Sequence, residues 1–266
     1  MRNALLLLFV IVLGFSACKK DKDANIAPAP VASFNVNGDT TQSQIMGVYD
    51  AYQLTNNSVN ADAYTWDFGN GTVLRDKEVA VWYPASGIYT LTLTAISKDG
   101  RKSVMSKTIK VVDPVLKHIT VDALNLQSAL GFSNAYPVAN KVNVWVEILK
   151  AAPNQSYPLL STGTFDAPLI YKTSVLTKVD VTKLPLEFDI KDKIVIDMPT
   201  LTKNYGYTGL GYAFNLYAQD NTGTYLLSSS YGSGVSSSFS GDVRNNRFTI
   251  TSGFDGSHLS LTGSYE

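Results

Sequence analysis

The chain has 266 residues, with 22 basic and 22 acidic side chains, so its formal net charge is zero. That balance excludes a surface built for nucleic acid, which needs a basic excess, and an electrostatic hold on acidic lipid. One cysteine excludes an internal disulfide, so stability must come from packed cores, and this length favours two domains over one.

The opening "MRNALLLLFVIVLGFSA" has one positive charge at Arg2, an apolar stretch over 4–15, then the small residues Ser16 and Ala17. These are the n-region, h-region and cleavage zone of a secretory leader. The run is shorter than the roughly 20 apolar residues of a membrane-spanning helix. With Cys18 next in line, "FSAC" resembles the lipobox of bacterial lipoproteins. The resemblance implies loss of the signal peptide 1–17 and lipidation of Cys18, which becomes the acylated first residue. Each buried CH₂ of such an anchor contributes about 0.8 kcal/mol, and two or more chains hold stably where one does not. Loss of Arg2 leaves 21 basic against 22 acidic residues, so lipid rather than charge would hold the mature chain.

"KKDKD" follows the cysteine. It resembles the export signal of surface-exposed lipoproteins in some Gram-negative lineages, and it reads equally well as a solvated linker. "ANIAPAP" completes a short flexible tether over 18–30, whose alternating prolines favour an extended chain. At about 3.1 Å per residue, 12 residues reach roughly 37 Å. The resemblance implies an outer-membrane lipoprotein, exposed at the surface of a Gram-negative bacterium.

Residues 31–113 form the first predicted module. "VASFNV" opens it and "TIKVVDP" closes it. Between them lie "LTNNS", "YTWDFGNGT" and "ASGIYTLTLTAISKDG". In "IYTLTLTAI", Tyr89, Leu91, Leu93 and Ala95 share one face and Thr90, Thr92 and Thr94 the other, the pattern of a half-buried strand. Residues 98–100, "KDG", read as a hairpin turn, and "GNG" at 69–71 as a turn that needs positive φ. Trp66 and Phe68 are expected in the core. Asp67 and Asn70 fit a structural turn better than a metal loop, because two oxygen-bearing side chains fall short of a calcium shell. These pieces, in this order, resemble a PKD domain, an immunoglobulin-like β-sandwich. Leu54 stands where the family has Phe, and Asn70 where it has a second Asp.

The second predicted module is a C-terminal β-sandwich over 115–266, behind a linker near Asp113-Pro114 that would let the two unfold separately unless their interface is large. "KVNVWVEIL" puts Val142, Val144, Val146 and Ile148 on one face and Asn143, Trp145 and Glu147 on the other. "KIVIDM" aligns Ile194, Ile196 and Met198, and "GYAFNLYAQD" aligns Tyr212, Phe214 and Leu216. "RFTIT" and "HLSLT", joined by "SGFDGS", form a terminal hairpin. Asp189, Asp192 and Asp197, interleaved with Lys191 and Lys193, read as a solvated hairpin. No stretch after the leader has a helical period, so the chain is all-β, with two β-sandwich domains. The second resembles the C2-like sandwiches that follow PKD domains in some surface lipoproteins. A C2 calcium site needs clustered aspartates, whereas "AQDNTG" offers Asp220 alone and "SNAYPVANK" offers none.

Catalysis finds little support. The two histidines, His118 and His258, sit in no metal motif, and there is no GxSxG elbow. A distant carboxylate pair for glycoside processing is the residual enzymatic alternative. No cofactor and no metal is expected. The expected function is a non-catalytic, lipid-anchored envelope protein that serves as a binding or scaffold module for protein partners. The alternative is a glycan-binding lipoprotein of a polysaccharide-uptake system. Trp145, Tyr205, Tyr207 and Tyr217 are the candidate contact surface. Trp145 needs cover from protein or from a ligand, and tyrosine is in any case a good strand residue with a wet tip. The expected partners are the membrane, through lipid on Cys18, and an envelope protein or a surface glycan.

Overall fold

The computed structural model describes residues 27–126, 141–152, 166–202, 211–230, 236–254 and 256–266. Cys18, where lipid is expected, lies outside them.

The first module has eight strands: β1 (Phe34–Val36), β2 (Ser43–Gly47), β3 (Tyr52–Asn56), β4 (Ala63–Asp67), β5 (Val73–Leu74), β6 (Val79–Val81), β7 (Gly87–Ile96) and β8 (Lys102–Val112). One sheet has the order β1-β3-β6 and the other β2-β8-β7-β4-β5. Alternation along the strands sends every second residue inward. Leu91, Leu93 and Ala95 of β7 are all fully buried. So is Trp66, which meets the ring of Phe34 edge-on at 5.2 Å and donates its indole N–H to the Asp76 carbonyl at 3.0 Å. The turn after β4 is held by side chains. Asp67 accepts from the Gly69 N–H at 2.8 Å, and Asn70 accepts from the Thr72 N–H at 3.0 Å. Gly69 has φ +73°, and a Cβ there would meet the Thr90 carbonyl oxygen at 2.7 Å, so only glycine fits.

Residues 27–30, assigned above to the tether, are docked on this module. Arg101 donates to the Ala27 carbonyl at 2.7 Å, Asn60 donates to the Ala29 carbonyl at 3.1 Å, and Val31 pairs with Val59. The free length of the tether is therefore shorter than the sequence suggests.

The second module contains β9 (Pro114–Ala123), β10 (Val142–Lys150), β11 (Leu169–Lys172), β12 (Leu176–Val179), β13 (Leu186–Val195), a short helix α1 (Met198–Thr202), β14 (Tyr212–Gln219), β15 (Thr224–Ser229), β16 (Ser236–Asp242), β17 (Arg247–Phe254) and β18 (Ser257–Tyr265). Its sheets have the orders β13-β9-β18-β17-β16 and β11-β10-β14-β15, with β12 also on β10. The fold is all-β, a PKD-type sandwich followed by a second one. Asp189 and Asp192, expected in a hairpin, instead lie within the single strand β13, whose register on β9 shifts between Asp189 and Ile194. The extra residues bulge out because both neighbours of the bulge stay paired.

No flexible linker separates the modules. β8 ends at Val112 and β9 begins at Pro114. Asp113 and Glu266 exchange backbone hydrogen bonds, 2.9 Å in each direction. One apolar core runs through Val111 and Val112 into Leu116 and Tyr265. The linker expected at Asp113-Pro114 is a strand-to-strand step inside a shared core, which fixes one module against the other.

Candidate functional site

Trp145 lies opposite Val144 and Val146, as alternation requires, yet it is only 7% exposed. Tyr217 is its direct partner across β10 and β14, with ring centroids 5.7 Å apart and planes 19° apart. From β11 on the other side, the Lys172 ammonium sits 4.2 Å from the indole centroid. The indole N–H donates to Glu147 at 2.9 Å, and Glu147 also pairs with Lys172 at 3.3 Å. Both ring faces and the polar edge are thus engaged by the chain itself. Burial pushes the Tyr217 phenol up as well. Tyr205 and Tyr207 lie outside the described residues.

The histidines are each engaged. His118 pairs with Asp189 at 2.9 Å and His258 with Asp122 at 3.0 Å. Ser260 donates to Asp122 rather than to the imidazole, so these groups are not wired to activate a hydroxyl. Asp220 is committed to the β14–β15 turn, where it accepts from the Thr222 and Gly223 N–H groups. Among the described residues, no group of three His, Cys, Asp or Glu side chains is placed to hold a metal ion.

A second aromatic pair was not singled out from the sequence. In "VAVWY", Val79, Val81 and Tyr83 point inward, so Trp82 points outward and is 50% exposed. Tyr49, 44% exposed, stacks on it with centroids 5.7 Å apart and planes 20° apart. Tyr49 has φ +61°, a left-handed conformation that is a genuine outlier for a bulky side chain. Its N–H donates to the Tyr83 carbonyl at 2.9 Å, which locks the turn beside Trp82. Trp82 also borders a surface groove of about 440 Å³, shared with Tyr89, Pro84, Asn70 and Thr72. The same strand-phase reading that drew attention to Trp145 would have found Trp82.

A cavity of about 790 Å³ opens where the modules meet. Asp50, Tyr52 and Ile45 of the first module face Asp242, Arg244 and Arg247 of the second. Asp50 packs against Gly47, where a Cβ would lie 2.4 Å from its carboxylate oxygen. Burial pushes the Asp50 carboxyl up, against a partial pull downward from the Tyr52 hydroxyl. Burial also raises the Tyr52 and Tyr265 phenols beside it.

Residues 27–112 match the sequence model of the PKD domain family. The chain is 30% identical to the PKD1 domain of the Vibrio cholerae metalloprotease PrtV, over 32% of this chain and 98% of that one, with a TM-score of 0.26. It is 28% identical to the PKD1 domain of Vibrio anguillarum Epp, over 32% of this chain and 95% of that one, at a TM-score of 0.26. A lipoprotein of Bacteroides thetaiotaomicron aligns over 87% of this chain and 99% of its own length, at 12% identity and a TM-score of 0.18. No curated protein matches the chain significantly.

Proposed function

The chain belongs to the PKD domain family through its first module, and we propose that it is a non-catalytic glycan-binding protein, carried at the cell surface by lipid on Cys18. The observation that carries this reading is the exposed Tyr49–Trp82 stack beside a groove. An aromatic ring presents a flat apolar face to the C–H side of a sugar, and a neighbouring side-chain amide or hydroxyl bonds the sugar's hydroxyls. Asn70 and Thr72 supply such groups at the groove. A left-handed tyrosine costs on the order of 1–3 kcal/mol, and such strain concentrates at binding sites.

A scaffold for protein partners is less well supported. Such a surface is expected to carry a contiguous apolar patch of several hundred Å². The most exposed apolar residues of the β7–β8 ladder, Ile88 and Val104, sit at opposite ends, paired with Lys110 and Thr94. Single exposed apolar residues of this kind are ordinary.

The test is affinity electrophoresis of the lipid-free chain through gels cast with neutral polysaccharides. Retardation by at least one polysaccharide, abolished by Trp82→Ala, is the expected result. Equal migration of wild type and Trp82→Ala in every gel that retards the wild type would overturn the reading.

A further inference from the structure

The polar groups around the Trp82 groove differ in what they have left to give. The Tyr89 hydroxyl donates to the Ala85 carbonyl at 3.0 Å, and its ring stacks on Tyr83 with centroids 4.4 Å apart. The Tyr83 hydroxyl in turn donates to the Phe68 carbonyl at 3.0 Å. The aromatic side of the groove is thus tied to the backbone that leads into the turn over 69–72.

Asn70 sits at the middle of that turn. The Phe68 N–H donates to the Thr72 carbonyl at 3.1 Å and closes it. Gly69 and Gly71, on either side of Asn70, take φ +73° and +89°. The Asn70 side-chain oxygen accepts from the Thr72 N–H at 3.0 Å. That bond settles which way the amide is turned, because only its oxygen can accept. The Asn70 Nδ2 carries two donors, and neither has a partner among the described residues. The side chain is exposed and borders the groove.

The turn itself does not need this N–H₂ group. Asp67 holds the Gly69 N–H at 2.8 Å with a carboxylate oxygen, and a carboxylate at position 70 would hold the Thr72 N–H as well. What asparagine adds is a pair of uncharged donors on a fixed support. The groove lining carries no carboxylate, ammonium or guanidinium. A charged ligand therefore finds no counter-charge there. An uncharged sugar finds an aromatic face for its C–H side and amide donors for its hydroxyl oxygens.

We propose that Asn70 is the specificity-determining residue of the groove. Its oxygen holds the turn, and its N–H₂ group donates to the hydroxyl oxygens of an uncharged sugar seated on Trp82. This assignment rests on the glycan reading above and adds to it the group that reads the sugar's hydroxyls.

The experiment is titration calorimetry of the full lipid-free chain with cellohexaose, laminarihexaose and mannohexaose, together with thermal unfolding. Wild type is expected to bind at least one of these probes, with an affinity that does not change with salt. Asn70→Asp keeps the acceptor for Thr72 and removes the donors. It should weaken that probe roughly 3- to 10-fold, the size of one lost hydrogen bond, and leave the unfolding midpoint unchanged. Unchanged affinity in Asn70→Asp, with Trp82→Ala still weakening the probe, overturns the proposal and leaves the platform standing. A lowered midpoint in Asn70→Asp overturns the division of roles within Asn70, and a wild-type affinity that falls steeply with salt overturns the uncharged ligand class. Binding of none of the three probes, or binding that Trp82→Ala leaves unchanged, overturns the glycan reading and the proposal with it.

Discussion

Two tryptophan–tyrosine stacks in this molecule have nearly the same geometry and opposite surroundings. Trp145 and Tyr217 lie 5.7 Å apart at 19°, and Tyr49 and Trp82 lie 5.7 Å apart at 20°. The first is sealed by Lys172 and Glu147 and leaves Trp145 7% exposed, whereas the second leaves Trp82 50% exposed beside a groove. Stacking alone therefore does not mark a binding surface. What marks it is an aromatic pair left about half exposed beside a groove, held by a backbone turn that costs energy to form.

The sharpest way to break this contrast is Trp145→Ala. A buried tryptophan replaced by alanine costs about 3–5 kcal/mol. Denaturant unfolding of the full chain should show a destabilisation of that size, with oligosaccharide affinity unchanged in the protein that remains folded. A change below about 1 kcal/mol would show that the Trp145 stack is as dispensable as a surface pair.

Trp82→Ala should do the reverse. The stack with Tyr49 contributes about 0.5–1.5 kcal/mol beyond the area it buries, so the loss of stability should stay well below that of Trp145→Ala. Affinity for a neutral oligosaccharide should fall at least about 10-fold, read by calorimetry. A large loss of stability with no loss of affinity would place Trp82 in the fold rather than in the site.

Tyr49→Gly sharpens the comparison further. Glycine adopts φ +61° without strain, and the stack is lost at the same time. The two effects oppose, so stability should change by less than about 1 kcal/mol while affinity drops. A loss of several kcal/mol would mean that the tyrosine serves the fold.

The smallest expected effect is one of pH. Asp50 has a folded-state pKa raised by burial. The folded state therefore holds that proton more tightly than the unfolded chain does. The cost of the charged form is present in full above the folded pKa and disappears as pH falls through the unfolded value near 4. Asp50→Asn should stabilise the chain slightly at pH 7, and the gain should shrink on acidification toward pH 4. A gain that grows on acidification would reverse the sign of the shift.

Much of the fold was legible because β-strand alternation is written locally. Leu91, Leu93 and Trp66 could be assigned to a core, and Asp67 and Asn70 to a turn, from their immediate neighbours. The phase of Trp145 was legible for the same reason. Its cover was not, because Lys172 and Tyr217 reach it from strands distant in sequence. Tyr49 was missed because nothing local announces a left-handed tyrosine. The cavity was missed because Asp50 and Arg244 face each other only after both modules have folded onto one core. The close junction at Asp113-Pro114 was hidden for the same reason, since Asp113 pairs with Glu266, which is distant in sequence.

The most direct test uses the three tryptophans, Trp66, Trp82 and Trp145, as built-in reporters. Their indole N–H signals should be followed by NMR during titration with a neutral oligosaccharide that the protein retains. The account predicts that the Trp82 signal moves in a saturable way while those of Trp66 and Trp145 stay fixed. Saturable movement of Trp145 with Trp82 unmoved would contradict it.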